Sequence, residues 1–147
     1  MDDASVDISV VREARDSCLC LATQRAARRL ARRFDRAFKP VGLTNQQFSL
    51  MMPLNAARPQ SMSALADLMG MDRTTLTAAL KALERRGLVE VGRDPRDRRA
   101  RRLLLTDAGR AALAAALPIW RAEHARIEAE ITPANAGALR AALRPIV

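Results

Sequence analysis

Residues 63–106 read SALADLMGMDRTTLTAALKALERRGLVEVGRDPRDRRARRLLLT. Ser63 is suited to cap a helix over residues 64–69, and Gly70 to end it as a left-handed C-terminal residue. Asp72 is suited to cap a second helix over residues 73–86, with Gly87 behind it. Only Gly70 and Met71 separate the two, which is the helix-turn-helix arrangement. Leu76, Leu80 and Leu83 recur at helical spacing and turn inward. Arg73, Thr74, Thr75, Thr77, Ala78 and Lys81 are left outward, mostly in the first half, where a recognition helix places its base-reading residues. Residues 88–91 and 101–105 are short strand candidates. The loop between them, 92–100, has Gly92 and Pro95 as turn residues and carries Arg93, Arg96, Arg98 and Arg99. Four arginines on a hairpin tip are poor for folding and good for meeting phosphates or a narrow minor groove.

The whole chain agrees with a polyanionic partner. It has 147 residues, a formal net charge of +9 and 49% hydrophobic residues, of which few are aromatic. Length and apolar content fit one globular domain, residues 1–147, with a core. The apolar mass is Ala and Leu, so the expected class is mainly α with a small β-hairpin wing. The charge favours nucleic acid first and an acidic membrane surface second. No run approaches the ~18–20 apolar residues of a membrane span. The acidic N-terminus lacks a signal-peptide layout, so a cytoplasmic location is expected. Cys18 and Cys20 are too few and too close for a disulfide framework.

The flanks read as helical frame. Residues 9–38 run without Gly or Pro, and Leu19, Ala22, Ala26, Leu30, Phe34 and Phe38 mark one buried stripe. Arg25, Arg28, Arg29, Arg32, Arg33 and Arg36 take the other faces, read as a solvated surface. Lys39-Pro40-Val41-Gly42 breaks the helix. Thr44 and Gln47 form a capping box opening a helix through about residue 56, with Pro53 bending or shortening it. Thr106-Asp107 starts a long helix to about Glu130, bent midway at Pro118. Thr132-Pro133 opens a terminal helix through about Leu143. Leu113, Leu117, Trp120, Ile127, Ile131, Leu139, Leu143, Ile146 and Val147 exceed what one winged lobe can cover. Paired with a second copy they would make an intersubunit bundle.

The chain resembles the MarR family of dimeric winged helix-turn-helix transcription regulators over essentially its full length. The carriers are residues 65–109, LADLMGMDRTTLTAALKALERRGLVEVGRDPRDRRARRLLLTDAG, with two helices, the Gly-Leu-Val turn, the Asp97–Arg99 wing and the Leu-Thr-x-x-Gly exit in one register. The resemblance implies a two-fold homodimer held by residues 9–38 and 107–147, with residues 44–106 as the DNA-binding lobe. Each recognition helix would enter a major groove and each wing the flanking minor groove. By that analogy Arg99 is the minor-groove residue and Asp97 its orienting partner. The expected DNA-contacting set is Ser63, Arg73, Thr74, Thr75, Thr77, Lys81, Arg93, Arg96, Asp97, Arg98 and Arg99. Hydrogen bonds from Arg73 and the three threonines would read bases or hold phosphates. Two such helices about one turn of duplex apart, ~34 Å, call for an inverted-repeat operator.

Family members often bind a phenolic or aromatic carboxylate between the dimerisation helices and the lobe. Arg15, Ser17, Cys20, Gln24, Gln47, Met51, Trp120 and His124 are the residues that could line such a pocket, with Arg15 as the cation. Ordinary packing or exposure is the plainer reading of each. Ligand bound there would change the spacing of the recognition helices, with Pro118 one place where the motion could pass. Cys20 falls where the organic-hydroperoxide-sensing branch carries its reactive cysteine. That branch surrounds the thiol with tyrosines, whereas this chain has none and places Asn45 and Phe48 at two of those positions. A buried structural cysteine is the simpler reading. One His and two closely spaced Cys make no metal set, and no cofactor is expected. No nucleophile-base-acid set, phosphate-binding Gly loop or carboxylate pair suggests an enzyme. The rival of another class is a non-specific architectural DNA-binding protein.

Overall fold

A computed structural model of the chain describes residues 5–56, 58–94, 101–131 and 136–146. Seven α-helices and three short strands make up the described fold. In order they are α1 (Ile8–Ser17), α2 (Leu19–Phe38), a 3-10 turn (Lys39–Val41), α3 (Asn45–Leu54), β1 (Gln60–Ser61), α4 (Met62–Met69), α5 (Arg73–Arg85), β2 (Val89–Arg93), β3 (Arg101–Leu105), α6 (Asp107–Glu130), α7 (Ala136–Leu143) and a last 3-10 turn (Arg144–Ile146). The expected mainly α class with a small β wing is what the chain adopts.

The capping residues do what their chemistry predicts at most helix starts. Thr44 accepts from the Gln47 amide while the Gln47 side chain accepts from the Thr44 N–H, closing the capping box of α3. Thr106 accepts from the Gly109 N–H at 3.0 Å and opens α6. α3 ends at Leu54, one residue after Pro53, rather than near residue 56. α6 runs unbroken through Pro118 to Glu130. The proposed cap at Thr132-Pro133 and the apolar Val147 lie outside the described residues.

Two further helix boundaries differ from expectation. The helix expected over residues 9–38 is two helices, because Cys18 takes an extended conformation with ψ 108. Its N–H still donates to the Ala14 carbonyl, ending α1, while its Sγ accepts from the Leu21 N–H and caps α2. Asp16, Ser17 and Cys18 are weak helix formers whose side chains compete for backbone groups. The cap of α4 is Ser61, not Ser63: the Ser61 hydroxyl accepts from the Ala64 N–H at 3.1 Å, and Ser63 stands inside the first turn.

The sheet contains a strand the sequence reading lacked. β1 pairs antiparallel with β3, giving the order β1-β3-β2. β2 starts at Val89 and continues through Gly92 and Arg93, so these two are paired strand residues and not part of the turn. The register sets Val91 opposite Leu103 and Arg93 opposite Arg101.

The core lies where α2, α3, α5, α6 and the sheet meet. Phe38, Leu50, Met51, Leu76, Leu83 and Leu103 are fully enclosed. An aromatic series links α2, α3 and α6: Phe34, Phe38, Phe48, Trp120 and His124 follow one another at centroid spacings of 5.7, 4.7, 6.3 and 4.9 Å. Beside it Arg33 donates to Glu123 at 2.8 Å and to Glu130 at 3.0 Å, and Arg126 supports Glu123 at 3.3 Å. The two carboxylates, Glu130 first, hold the Arg33 guanidinium above its ordinary pKa, and the bond from Arg33 holds the Glu130 carboxyl below its own. Arg33 therefore leaves the solvated face to which the periodicity assigned it.

Only the second half of the expected stripe on residues 9–38 is buried within the chain. Phe34 and Phe38 are enclosed, but Leu19 is 76% exposed and Leu30 38%. Ala22 and Ala26 are exposed as well. All of α1 lies on the surface, including Ile8, Val10 and Val11, and so do Leu139 and Ile146 at the other end.

Candidate nucleic-acid interface

α4 and α5 are joined by a turn built from two residues. Gly70 adopts φ 58, which a β-carbon disfavours. The Met71 N–H then reaches back to the Ala66 carbonyl at 3.0 Å, closing α4 in the Schellman manner. Asp72 follows at once as the cap of α5. Its carboxylate accepts from the Thr75 N–H at 2.9 Å and from the Thr75 hydroxyl at 2.6 Å. These bonds hold its carboxyl below the usual carboxylate range. Leu76, Leu80 and Leu83 are buried beneath α5 and fix its rotation.

That rotation presents Arg73, Thr74, Thr77, Ala78 and Lys81 together along a shallow surface groove. All five are exposed. Thr75 is exposed too, but its hydroxyl hydrogen is given to Asp72. The Thr77 hydroxyl donates to the carbonyl of Arg73 at 2.7 Å. Thr74 makes no side-chain hydrogen bond among the described residues. Ser63 is exposed at the start of α4, on a different element.

A second depression separates α5 from the hairpin. Thr77, Lys81 and Glu84 bound it from one side, Val91 and Arg101 from the other, with Met62 and Leu80 between. Arg93 and Arg101 face each other across the ladder at the outer end of the hairpin, both exposed. Like charges directly opposite destabilise a strand pair, so this placement makes sense against a polyanion. Arg101 was absent from the expected contact set. The signal was available: Leu105, Leu103 and Arg101 share one strand face, and the core ends at Leu103. Arg102, on the other face, pairs with Asp94 at 3.1 Å. Arg96, Asp97, Arg98 and Arg99 lie outside the described residues.

The residues proposed for an effector fall into two groups. Arg15, Ser17, Cys20 and Gln24 lie at the surface around the α1–α2 break. Arg15 is bound to Asp16 at 2.6 Å, an interaction that raises its own pKa and lowers that of the carboxyl. The Ser17 hydroxyl donates to the Glu13 carbonyl, and the Gln24 amide donates to the Cys20 Sγ at 3.1 Å. Both cysteines are exposed, so Cys20 is not a buried packing residue of this chain. The second group belongs to the interior. Met51 is fully enclosed, Trp120 and His124 are half-buried in the aromatic series, and Gln47 accepts from Arg86 at 2.8 Å. Among the described residues no cluster of His, Cys, Asp and Glu is arranged to hold a metal ion. No helix among them is long and apolar enough to cross a membrane.

Comparison with known proteins places this geometry. A model of the MarR family matches residues 43–100. The Mycobacterium tuberculosis transcriptional regulator MosR, in complex with DNA, shares 40% identity over 88% of this chain and 93% of its own, with a TM-score of 0.81. The transcriptional repressor CouR, bound to a 23-mer DNA duplex, shares 34% identity over 97% of this chain and 99% of its own, with a TM-score of 0.78. CouR bound to p-coumaroyl-CoA shares 33% identity over 90% of this chain and 94% of its own, again with a TM-score of 0.78. No curated protein sequence matches the chain.

Proposed function

The chain belongs to the MarR family of transcriptional regulators, and from that premise we propose that it is a homodimeric repressor released from an inverted-repeat operator by a small aromatic acid or its thioester. It is a DNA-binding regulator and not an enzyme. The DNA-binding part of this reading rests on one observation: α5 is capped and anchored so that Arg73, Thr74, Thr77, Ala78 and Lys81 share an open face beside the Arg93–Arg101 pair. In this reading residues 44–106 form the DNA-binding lobe and residues 9–38 and 107–147 the dimerisation helices. Ser63, Arg93 and the wing arginines Arg96, Arg98 and Arg99, with Asp97 orienting Arg99, hold the backbone and minor groove. The chain works in the cytoplasm.

The apolar residues left on the surface support self-association. Val6, Ile8, Val10, Val11, Leu19, Leu139 and Ile146 are all exposed, and all belong to the N- and C-terminal segments. The structure of CouR bound to p-coumaroyl-CoA supports the effector class. Here Arg15, Ser17, Cys20, Gln24, Gln47, Met51, Trp120 and His124 are its proposed surroundings, and ligand binding alters the separation of the two recognition helices. The exposed Cys20, with its Gln24 contact, supports a second reading as a hydroperoxide-sensing thiol.

Binding to upstream intergenic DNA, read by fluorescence anisotropy at physiological salt, tests the main reading. The expected result is one dimer on one palindromic site, held ~10³-fold or more tighter than random DNA. Equal affinity for both would leave an architectural protein. Aromatic acids and their CoA esters, screened by thermal shift, should include one that stabilises the dimer and weakens that complex. Cumene hydroperoxide should do so only if the thiol reading holds, and Cys20→Ser should then abolish the response.

A further inference from the structure

The recognition face has less hydrogen-bonding capacity than its three threonines suggest. A threonine side chain carries one donor hydrogen. Thr75 spends its donor on the Asp72 carboxylate at 2.6 Å, as part of the cap that starts the helix. Thr77 spends its donor on the Arg73 carbonyl at 2.7 Å, one turn back along its own helix. A hydroxyl folded onto the i−4 carbonyl occupies one of the three staggered positions at Cβ, so the γ-methyl takes another. Thr77 is nonetheless exposed and lines the groove. Its neighbour Ala78, exposed in the same groove, offers only a methyl group. The middle of the face therefore offers two methyl groups and no free hydroxyl donor, with Arg73 and Lys81 at its two ends and the hydroxyl of Thr74 at its N-terminal edge.

In the major groove only thymine presents a methyl group, and small apolar side chains are its usual partners. We propose that Thr77 and Ala78 read thymine through its C5 methyl, and that the Thr77 hydroxyl takes no part in the reading. The operator half-site then carries a thymine opposite the centre of α5. Arg73 and Lys81 supply guanine or phosphate contacts around it. The inference rests on α5 being the helix that enters the major groove.

The Thr77 oxygen keeps lone pairs that could accept from a base amine, and two substitutions separate that possibility. Thr77→Val keeps the methyl and removes the oxygen; Thr77→Ser keeps the hydroxyl and removes the methyl. Both are tolerable at an exposed helix position, where Val, Ser and Thr have similar propensities. The full-length protein is used to select its preferred duplex from a random-sequence pool. Each thymine of that duplex is then replaced by deoxyuridine, which lacks only the methyl. Wild type should lose about fourfold in affinity at one thymine per half-site, the effect of one buried methyl group. Thr77→Val should bind as wild type does and keep that sensitivity. Thr77→Ser should bind more weakly and lose much of it. If every uracil substitution is silent, or Thr77→Val weakens binding while Thr77→Ser does not, the inference is overturned while the sequence-specific regulator stands. If selection returns no preferred duplex, both fall together.

Discussion

Gly109→Ala should unfold this protein early, although glycine in a helix is ordinarily a weakness. Gly109 lies in the first turn of α6, where it is buried against Leu88, just before β2, and Leu105, at the end of β3. A β-carbon built there falls 2.0 Å from the Leu88 carbonyl oxygen and 3.3 Å from Leu105 Cδ2, where ordinary contact starts at 3.4 Å. The obstacle is backbone, so no side chain can swing aside. Either the helix start or the residues around Leu88 must retreat by more than an ångström. Two bonds span that seam: the Thr106 N–H donates to the Leu88 carbonyl at 3.2 Å, and the Thr106 hydroxyl donates to the Gly87 carbonyl at 2.6 Å. Losing both costs about 2 kcal/mol net, and strain from overpacking adds about 1–3 kcal/mol. Alanine returns about 1 kcal/mol through its better helix propensity. The balance is a loss of about 2–4 kcal/mol, or roughly 5–15 °C in melting temperature for a chain of this length. Thermal melting followed by circular dichroism measures it. Gly92→Ala is the matched control, because its β-carbon meets only the Arg102 carbonyl at 4.0 Å. A Gly109→Ala protein that melts at or above wild type while the control behaves normally would refute the close-approach argument.

Other perturbations test separate parts of the fold. Ser61→Ala should cost about 1 kcal/mol by removing the cap of α4, whereas Ser63→Ala should be neutral or slightly stabilising; denaturant titration of both would reverse the assignment if Ser63 were the costly one. Arg33→Met should lower the melting temperature by several degrees and Arg29→Met hardly at all, since only Arg33 joins α2 to Glu123 and Glu130 of α6; equal effects would show that the cluster contributes nothing. Asp7, Asp16, Asp72 and Glu130 have depressed carboxyl pKa values in the folded chain. Their stabilisation is complete above the unfolded values near pH ~4 and is lost as pH falls through the lower folded ones. Melting temperature should therefore drop with pH below that range, less so in Glu130→Gln, and a rise on acidification would contradict it.

Much of the fold was legible because its decisive signals are local. The Thr44–Gln47 box, the Asp72 cap, the Gly70 turn and Thr106 each act within four residues, and each forms the bond that its chemistry suggests. What escaped was set by distant partners. β1 is two residues long and exists because Gln60 and Ser61 pair with Leu103 and Arg102, more than forty positions away. That pairing also decides the cap of α4: once Ser61 is held extended at the end of a strand, it precedes the helix and Ser63 does not. Arg33 has the same origin. It was one of six arginines on a helix surface, and only packing of α2 on α6 distinguishes it by supplying Glu123 and Glu130.

On the recognition face, helical spacing also bears on which hydroxyls keep a donor to spare. Exposure alone would treat the hydroxyls of Thr74, Thr75 and Thr77 alike. Position within the helix says otherwise. Thr75 is the third residue after the Asp72 cap, where its own N–H is the one the cap takes, and its hydroxyl lies beside the second carboxylate oxygen. Thr77 is four residues after Arg73, the spacing at which a helical threonine bonds backward. Thr74 has neither relation. The spacing that makes a helix amphipathic also determines which polar groups on its outer face remain available. For a DNA-binding helix, the polar groups available outward are then those that the capping and backward bonds of the helix have not already engaged.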